Sequence, residues 1–313
     1  MYSKQVLFQV EAGLGNQIIS SPVYFRLVQM YGGKNVHVIF VRESKWDTES
    51  KAAFFNAVVY HNGGELLLIE RGGFLDRNYG RLYSCRKVGF ETDIQQRIVL
   101  DGVTINNEFD NDCRLFPVKE IDAVVDQCYP VDWNKVTGAN PKKKYDIVLV
   151  NGCMNTRLWY RRRYQRWNEV VEILKGMGYT VACVGNRDEF IPGCDDYTGR
   201  PIAENMEMVA NCKVCIGNNT GLTHFSNAVG TYTVVFISAT NSTKDYNPKR
   251  FDRYIRFVTS REPCAPCQGA WSLSERWMRC EYWKCSWSID PIEIIEAVRI
   301  QMSKYIDRSI GEL

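Results

Sequence analysis

In the stretch Ile216-Gly217-Asn218-Asn219-Thr220-Gly221-Leu222-Thr223-His224, polar and glycine residues follow the apolar run Val214-Cys215-Ile216. The helical pattern Phe225 to Val229 comes next, and then a second apolar run, Thr233 to Ile237. That order reads as strand, loop, helix, strand. The loop then sits at the carboxyl end of a strand, where the following helix aims its first N–H groups. Phosphate oxygens suit such a place, because unpaired amides and the helix dipole both favour negative charge. Thr220, Gly221 and Leu222 would supply amides, and Asn219, Thr220 and His224 have side chains that can orient a sugar and a diphosphate.

Two further stretches hold groups for the same kind of chemistry. At the end of the apolar run Val6–Val10, Gly13 and Gly15 would let the backbone approach a ligand and Asn16 could hydrogen-bond it. A tight strand-to-helix turn with no ligand would need the same residues. Glu11 lies at that strand end too, either as a general base for a hydroxyl or as a solvated loop carboxylate. Residues Leu158-Trp159-Tyr160-Arg161-Arg162-Arg163-Tyr164-Gln165-Arg166-Trp167 combine arginines with aromatics. A guanidinium fork at Arg162 or Arg163 suits a diphosphate. The same mixture would suit a nucleic-acid backbone with stacked bases, or a basic turn whose aromatics pack on the core.

The cysteines pose a separate question. Cys264, Cys267, Cys280 and Cys285 follow a C-x2-C-x12-C-x4-C spacing inside a loop, with Pro263 and Pro266 stiffening the first pair. Four thiolates can converge on one tetrahedral ion, zinc by default and iron as an alternative. Two disulfides or four free thiols also match the spacing. Four thiolates leave no open position, so such a metal would be structural. Cys85, Cys113, Cys128, Cys153, Cys183, Cys194, Cys212 and Cys215 form no second set of this kind.

The elements that must position these groups alternate. Strand Val6–Val10 leads into a helix from Ile18 to Tyr31, ended by Gly32-Gly33, and into strand Val36 to Val41. Leu66–Ile69 and Ile98–Leu100 are further short strands; from Phe74 to Arg114 periodicity is weak. Thr137 to Lys144 reads as a linker. The pattern then restarts: strand Tyr145–Val150, helix Trp167–Met177, strand Tyr179–Val184, helix Asn205–Asn211 and the anion loop. A last amphipathic helix, Ile289 to Tyr305, has Asp290 as N-cap and Pro291 at its first position. The expected architecture is α/β: two Rossmann-like domains, 1–140 and 141–313, facing a cleft, with the C-terminal helix packing back across.

Composition narrows the class. The chain has 313 residues, 45% of them apolar, and a net charge of +3. That charge gives no case for a dedicated polyanion binder. No apolar run approaches the roughly 20 residues that span a bilayer, and the N-terminus lacks the parts of a signal peptide, so a cytoplasmic protein is expected. Position 18, three after Gly15, is Ile, which breaks the dinucleotide fingerprint. P-loop and G-x-S-x-G patterns are absent, and no Asp-x-Asp follows a strand as a metal-dependent sugar transferase would use it.

These residues resemble glycosyltransferase family 9, the ADP-heptose:lipopolysaccharide heptosyltransferases, which have the GT-B fold. Gly15-Asn16-Gln17-Ile18 with Pro22 is similar to the family's Gly-Asp-x-x-x-x-x-Pro opening. Arg162 to Trp167, running on to Gly178-Tyr179-Thr180-Val181 and Gly185, resembles its Lys-x-Trp-Pro helix and following strand. Asn219-Thr220-Gly221-Leu222-Thr223-His224, with Asn227 to Gly230 and Pro248, resembles its Asp-Thr-Gly-x-x-His signature. The resemblance runs from about residue 145 to 300 and over residues 6–40. Gly13 to Gln17 also resembles the opening of family 11 fucosyltransferases, whose His-x-Arg-Arg motif is missing.

The resemblance implies a sugar transferase with a nucleotide-diphosphate donor and no catalytic metal, inverting as the family does. The donor would lie on the second domain and the acceptor on the first. The family default for the acceptor is a bacterial surface saccharide; a hydroxymethylated base in phage-type DNA is the rival. A non-catalytic module that binds a sugar nucleotide is a third reading. Two departures matter: the family's aspartates are replaced by Asn16 and Asn219, and an amide accepts no proton at neutral pH. The base must then be another carboxylate, Glu11 first, with Asp110 and Asp112 as fallbacks.

Overall fold

A computed structural model describes residues 6–10, 14–42, 49–64, 66–70, 96–100, 131–139, 145–152, 162–239, 254–266, 280 and 283–311. The chain divides into two compact units, residues 1–129 with 135–138, and 130–134 with 139–313.

In the first unit, β1 (Val6–Val10), β2 (Val36–Arg42) and β3 (Leu66–Glu70) are parallel, and β4 (Gln96–Leu100) pairs antiparallel with β1, giving the order β3-β2-β1-β4. Parallel neighbours need a crossover, and helices α1 (Leu14–Tyr31) and α2 (Glu49–His61) supply them. The two helices pack on each other, and Tyr24, Leu27, Phe55, Val58 and Val59 are all buried in them. The Tyr24 and Phe55 rings meet edge to face at 5.6 Å. Helix α1 begins at Leu14, four residues before the expected start, so Gly15 and Asn16 belong to its first turn.

The stretch from Ile216 to His224 lies in the second unit. A short helix, α3 (Trp133–Thr137), starts in it. Its sheet holds β5 (Ile147–Val150), β6 (Val181–Gly185), β7 (Asp195–Thr198), β8 (Val214–Asn218), β9 (Tyr232–Ile237) and β10 (Ile255–Thr259). All are parallel, in the order β10-β9-β8-β5-β6-β7. The central strands β5, β8 and β9 are buried at every position, as a sheet covered on both faces requires. The edge strands are not: β7 is Asp-Asp-Tyr-Thr, and β10 exposes Arg256 and Thr259.

The connecting helices are α4 (Trp167–Gly176), α5 (Ile202–Asn211) and α6 (Gly221–Ala228), and α7 (Pro291–Gly311) follows the last strand. Trp167, Val170, Val171 and Leu174 recur at helical spacing in α4 and are all buried. The β5-α4-β6 crossover runs one way along the sheet and β8-α6-β9 the other, so right-handed connections put α4 and α6 on opposite faces. Helix α7 packs on α4, β9 and β10 within this unit, and α5 packs on α6. At the start of α7 the Ile292 N–H donates to Asp290 Oδ1 at 2.9 Å, the cap read from the sequence.

Candidate functional site

The strand order fixes where a ligand can enter. From β5 the chain passes to β6 and β7 on one side, then returns through α5 to β8 on the other. β6 and β8 thus lie on opposite sides of β5, and the carboxyl ends of β5 and β8 are where open α/β sheets form their ligand crevice. Gly217 holds these two strands close. A Cβ there would stand 2.4 Å from the Val150 carbonyl oxygen and 3.2 Å from Thr223 Cγ2.

Helix α6 starts at Gly221, not at Phe225 as the sequence pattern suggests, so Gly221 to His224 form its first turn. Thr220 is the N-cap. Its amide donates to Thr223 Oγ1 at 2.9 Å, and the Thr223 hydroxyl lies 2.8 Å from the Asn218 carbonyl oxygen and 2.9 Å from that of Thr220. The expectation for three anion-binding amides is corrected in one respect: the Thr220 amide is already used inside this turn. The Gly221 and Leu222 amides have no acceptor within the helix. Leu222, Thr223 and Phe225 are buried, and Phe225 meets Trp133 with ring centroids 4.8 Å apart.

The two adjacent arginines part company. Arg162 Nη1 donates to the Asn219 carbonyl oxygen at 3.2 Å, which brings a guanidinium to the loop after β8. Arg163 turns the other way and is buried. Its Nη2 meets Asp188 Oδ2 at 2.8 Å and Glu189 Oε1 at 3.5 Å, and its Nη1 donates to the Asp188 carbonyl oxygen. The next residues fasten this segment from below. Tyr164 donates to the Ile289 carbonyl oxygen at 3.0 Å, and Trp167 donates to Asn151 Oδ1 at 2.8 Å. Both rings are buried beside Phe236, so neither serves as a platform for stacked bases.

His224 is buried. Loss of solvent, and secondarily the nearby Arg162 charge, push its pKa down to about 3. It is therefore a neutral imidazole near pH 7, able to hydrogen-bond but too weakly basic to take a proton from an acceptor. Asn219, five residues earlier in the chain, is also buried. Asn218, at the end of β8, is also buried, and its Nδ2 reaches toward the Gly152 carbonyl oxygen at 3.5 Å. Its Oδ1 has no hydrogen-bond partner among the described residues.

Glu189, Asn186, Asn151 and Asn218 stand at this edge of the sheet without having been singled out by sequence. The visible signal for Glu189 was its place four residues after Gly185, at a strand end. Of the residues expected in the first domain, Gly15 and Asn16 are in α1, while Glu11, Gly13, Asp110 and Asp112 lie outside the described residues. Cys264 and Cys280 are half-buried free thiols and Cys285 is buried; Cys267 lies outside the described residues. Among the described residues, no three His, Cys, Asp or Glu side chains stand close enough to hold a metal ion. Burial raises the Cys183, Cys194 and Cys215 thiols to about 12, as inert core thiols require. No helix among the described residues is long and apolar enough to cross a membrane.

No protein-family model matches this chain, and no curated protein matches it in sequence. Solved structures do match. A glycosyl transferase family 9 protein from Veillonella parvula superposes with a TM-score of 0.56 at 12% identity, over 95% of this chain and 96% of that one. The ADP-heptose lipopolysaccharide heptosyltransferase II of E. coli gives 0.53 at 10% identity, over 95% and 98%. The dodecameric iron-containing heptosyltransferase TibC of enterotoxigenic E. coli, in complex with ADP-D-β-D-heptose, gives 0.52 at 12% identity, over 95% and 75%. The chain thus has the fold of the family 9 heptosyltransferases, the family that its sequence resembles.

Proposed function

We propose that this protein is a glycosyltransferase that moves a sugar from a nucleotide-diphosphate donor to a hydroxyl acceptor. The observation that carries the reading is the meeting, at the sheet's switch point, of the α6 amino end with the guanidinium of Arg162. An unpaired Asn218 Oδ1 in the same place supports it, since a buried amide oxygen without a donor costs about 1–3 kcal/mol that a ligand hydroxyl or amino group would recover. The ADP-sugar held by TibC, a neighbour in fold, points to the same ligand class.

In this reading the second unit binds the donor and the first unit the acceptor. The Gly221 and Leu222 amides and Arg162 hold the diphosphate. Asn219 and neutral His224 hydrogen-bond phosphate or sugar. Arg163 sits behind Arg162. The acceptor oxygen attacks the anomeric carbon as the carbon–oxygen bond to the diphosphate breaks, and its proton passes to a carboxylate of the first unit, Glu11. Negative charge grows on the leaving diphosphate, so fixed dipoles and Arg162 stabilise the transition state more than the bound donor. Asn16, an amide, cannot take that proton at neutral pH. Inversion at the anomeric carbon follows from direct displacement.

The acceptor of this proposal is a saccharide. A DNA acceptor loses two stacking candidates, because Tyr164 and Trp167 are buried. A binding module without transfer would keep the donor site and lack a base. A structural zinc or iron on Cys264, Cys267, Cys280 and Cys285 rests on the cysteine spacing and on TibC, which is described as iron-containing; Cys264, Cys280 and Cys285, the three that are described, do not stand close enough together here to hold it. The test is a thermal-shift screen of nucleotide sugars followed by a transfer assay. Stabilisation by one sugar nucleotide with release of its nucleoside diphosphate supports the enzyme. Stabilisation without release supports the module, and no stabilisation by any of them contradicts both.

A further inference from the structure

Glu189 is a buried carboxylate with a site built for it. Two glycines on adjacent strand ends leave it room. A Cβ on Gly185, whose φ is +133°, would stand 2.2 Å from Glu189 Oε2, and one on Gly152 would stand 3.1 Å from the same oxygen. Oε2 accepts the Asn186 amide at 2.8 Å, and Oε1 lies 3.1 Å from Asn186 Nδ2 and 3.5 Å from Arg163 Nη2. The carboxylate therefore ties the turn after β6 to the guanidinium of Arg163.

The neighbouring residue, Arg162, reaches the opposite way, to Asn219 after β8. Strands β6 and β8 flank β5 on its two sides. Two consecutive arginines thus straddle the crevice, one anchored on each neighbour of β5. A buried ion pair broken on one side is strongly destabilising, so the anchor on the β6 side is the stiffer of the two. We propose that Glu189 is a positioning residue: through Arg163 it sets where the Arg162 guanidinium stands at the α6 amino end. This rests on the donor reading above for what Arg162 binds, and on geometry for the Glu189–Arg163 contact and the chain bond from Arg163 to Arg162.

Two measurements separate these parts. Without ligand, Tm is recorded for Glu189→Gln, Arg162→Ala and the double variant. The link requires that Arg162→Ala lower Tm by less than half as much in the Glu189→Gln background as in the native one, because residues coupled through a shared backbone segment are non-additive. Equal losses in the two backgrounds overturn it. With ADP as probe, Glu189→Gln should weaken binding about tenfold in the native background and leave it unchanged when Arg162 is Ala. A loss that persists without Arg162 shows a general structural effect and overturns the positioning role. Non-additive Tm values together with no ADP binding by the native protein retain the link and remove its service to a donor. Should Glu189→Gln not fold, Asp188→Asn takes its place. Asp188 is the exposed partner of Arg163, and its removal should give the same pattern with a smaller amplitude.

Discussion

Arg162 donates a hydrogen bond to the Asn219 carbonyl oxygen at 3.2 Å, and this contact joins the segment after β5 to the loop that starts α6. It sets a cation beside a helix amino end. Removing that cation should weaken the grip on a diphosphate. We expect Arg162→Ala to lower ADP affinity about 10–100-fold, the range of one charge-assisted hydrogen bond. Arg162→Lys should recover part of the loss, since it restores charge but not the fork. Calorimetric titration reads both. Unchanged affinity in the alanine variant removes Arg162 from the site.

His224 should be neutral in the folded protein at every pH well above 3. Its pKa falls from the ordinary 6.5 to about 3, so the fold favours the uncharged ring. The sign follows: this preference stabilises the protein fully above pH 6.5 and is lost as pH falls from 6.5 toward 3. Each unit of that interval is worth about 1.4 kcal/mol. Imidazole NMR shifts should show no His224 titration between pH 5 and 8. A midpoint near 6.5 would refute the burial argument.

Gly217 lies where β8 presses on β5. Gly217→Ala forces a methyl to within 2.4 Å of the Val150 carbonyl oxygen, and neither backbone can yield cheaply. Urea unfolding should show a loss of about 3 kcal/mol. A loss below about 0.5 kcal/mol, the scale of an ordinary surface change, would mean the strands are looser than this spacing.

Glu11→Gln tests the base. General-base catalysis contributes about 10²–10⁴-fold, so kcat should fall by that much with donor KM nearly constant. A normal rate and pH profile assign the proton to another group, Asp110 or Asp112 first.

The cysteine loop has its own outcome. Metal analysis of purified protein should find about one zinc or iron per chain, the stoichiometry of a tetrathiolate site. Four titratable thiols at Cys264, Cys267, Cys280 and Cys285 with no metal would exclude that site.

Sequence and structure agree best where burial dictates residue type. Val214-Cys215-Ile216 and Ile147 to Val150 are apolar because both faces of their strands are covered, and they are legible for that reason. Strand β7 is not. Its Asp-Asp-Tyr-Thr sequence pairs at a sheet edge, held by Tyr145 donating to Asp195 Oδ2 at 2.6 Å and by Thr198 bonding Asp196. Helix α2 hides behind Val58-Val59-Tyr60, residues with strand preference that tertiary packing overrides. At the site, Gly221 and His224 were visible, but the parting of Arg162 from Arg163 was not. It depends on Glu189, a charged residue whose burial arises only when Gly152 and Gly185 come side by side.

The most direct test is a crystal structure of the protein with the sugar nucleotide that stabilises it best. The account predicts diphosphate oxygens about 3 Å from the Gly221 and Leu222 amides and from the Arg162 guanidinium. A ligand bound elsewhere, with no phosphate oxygen at the start of α6, would contradict it.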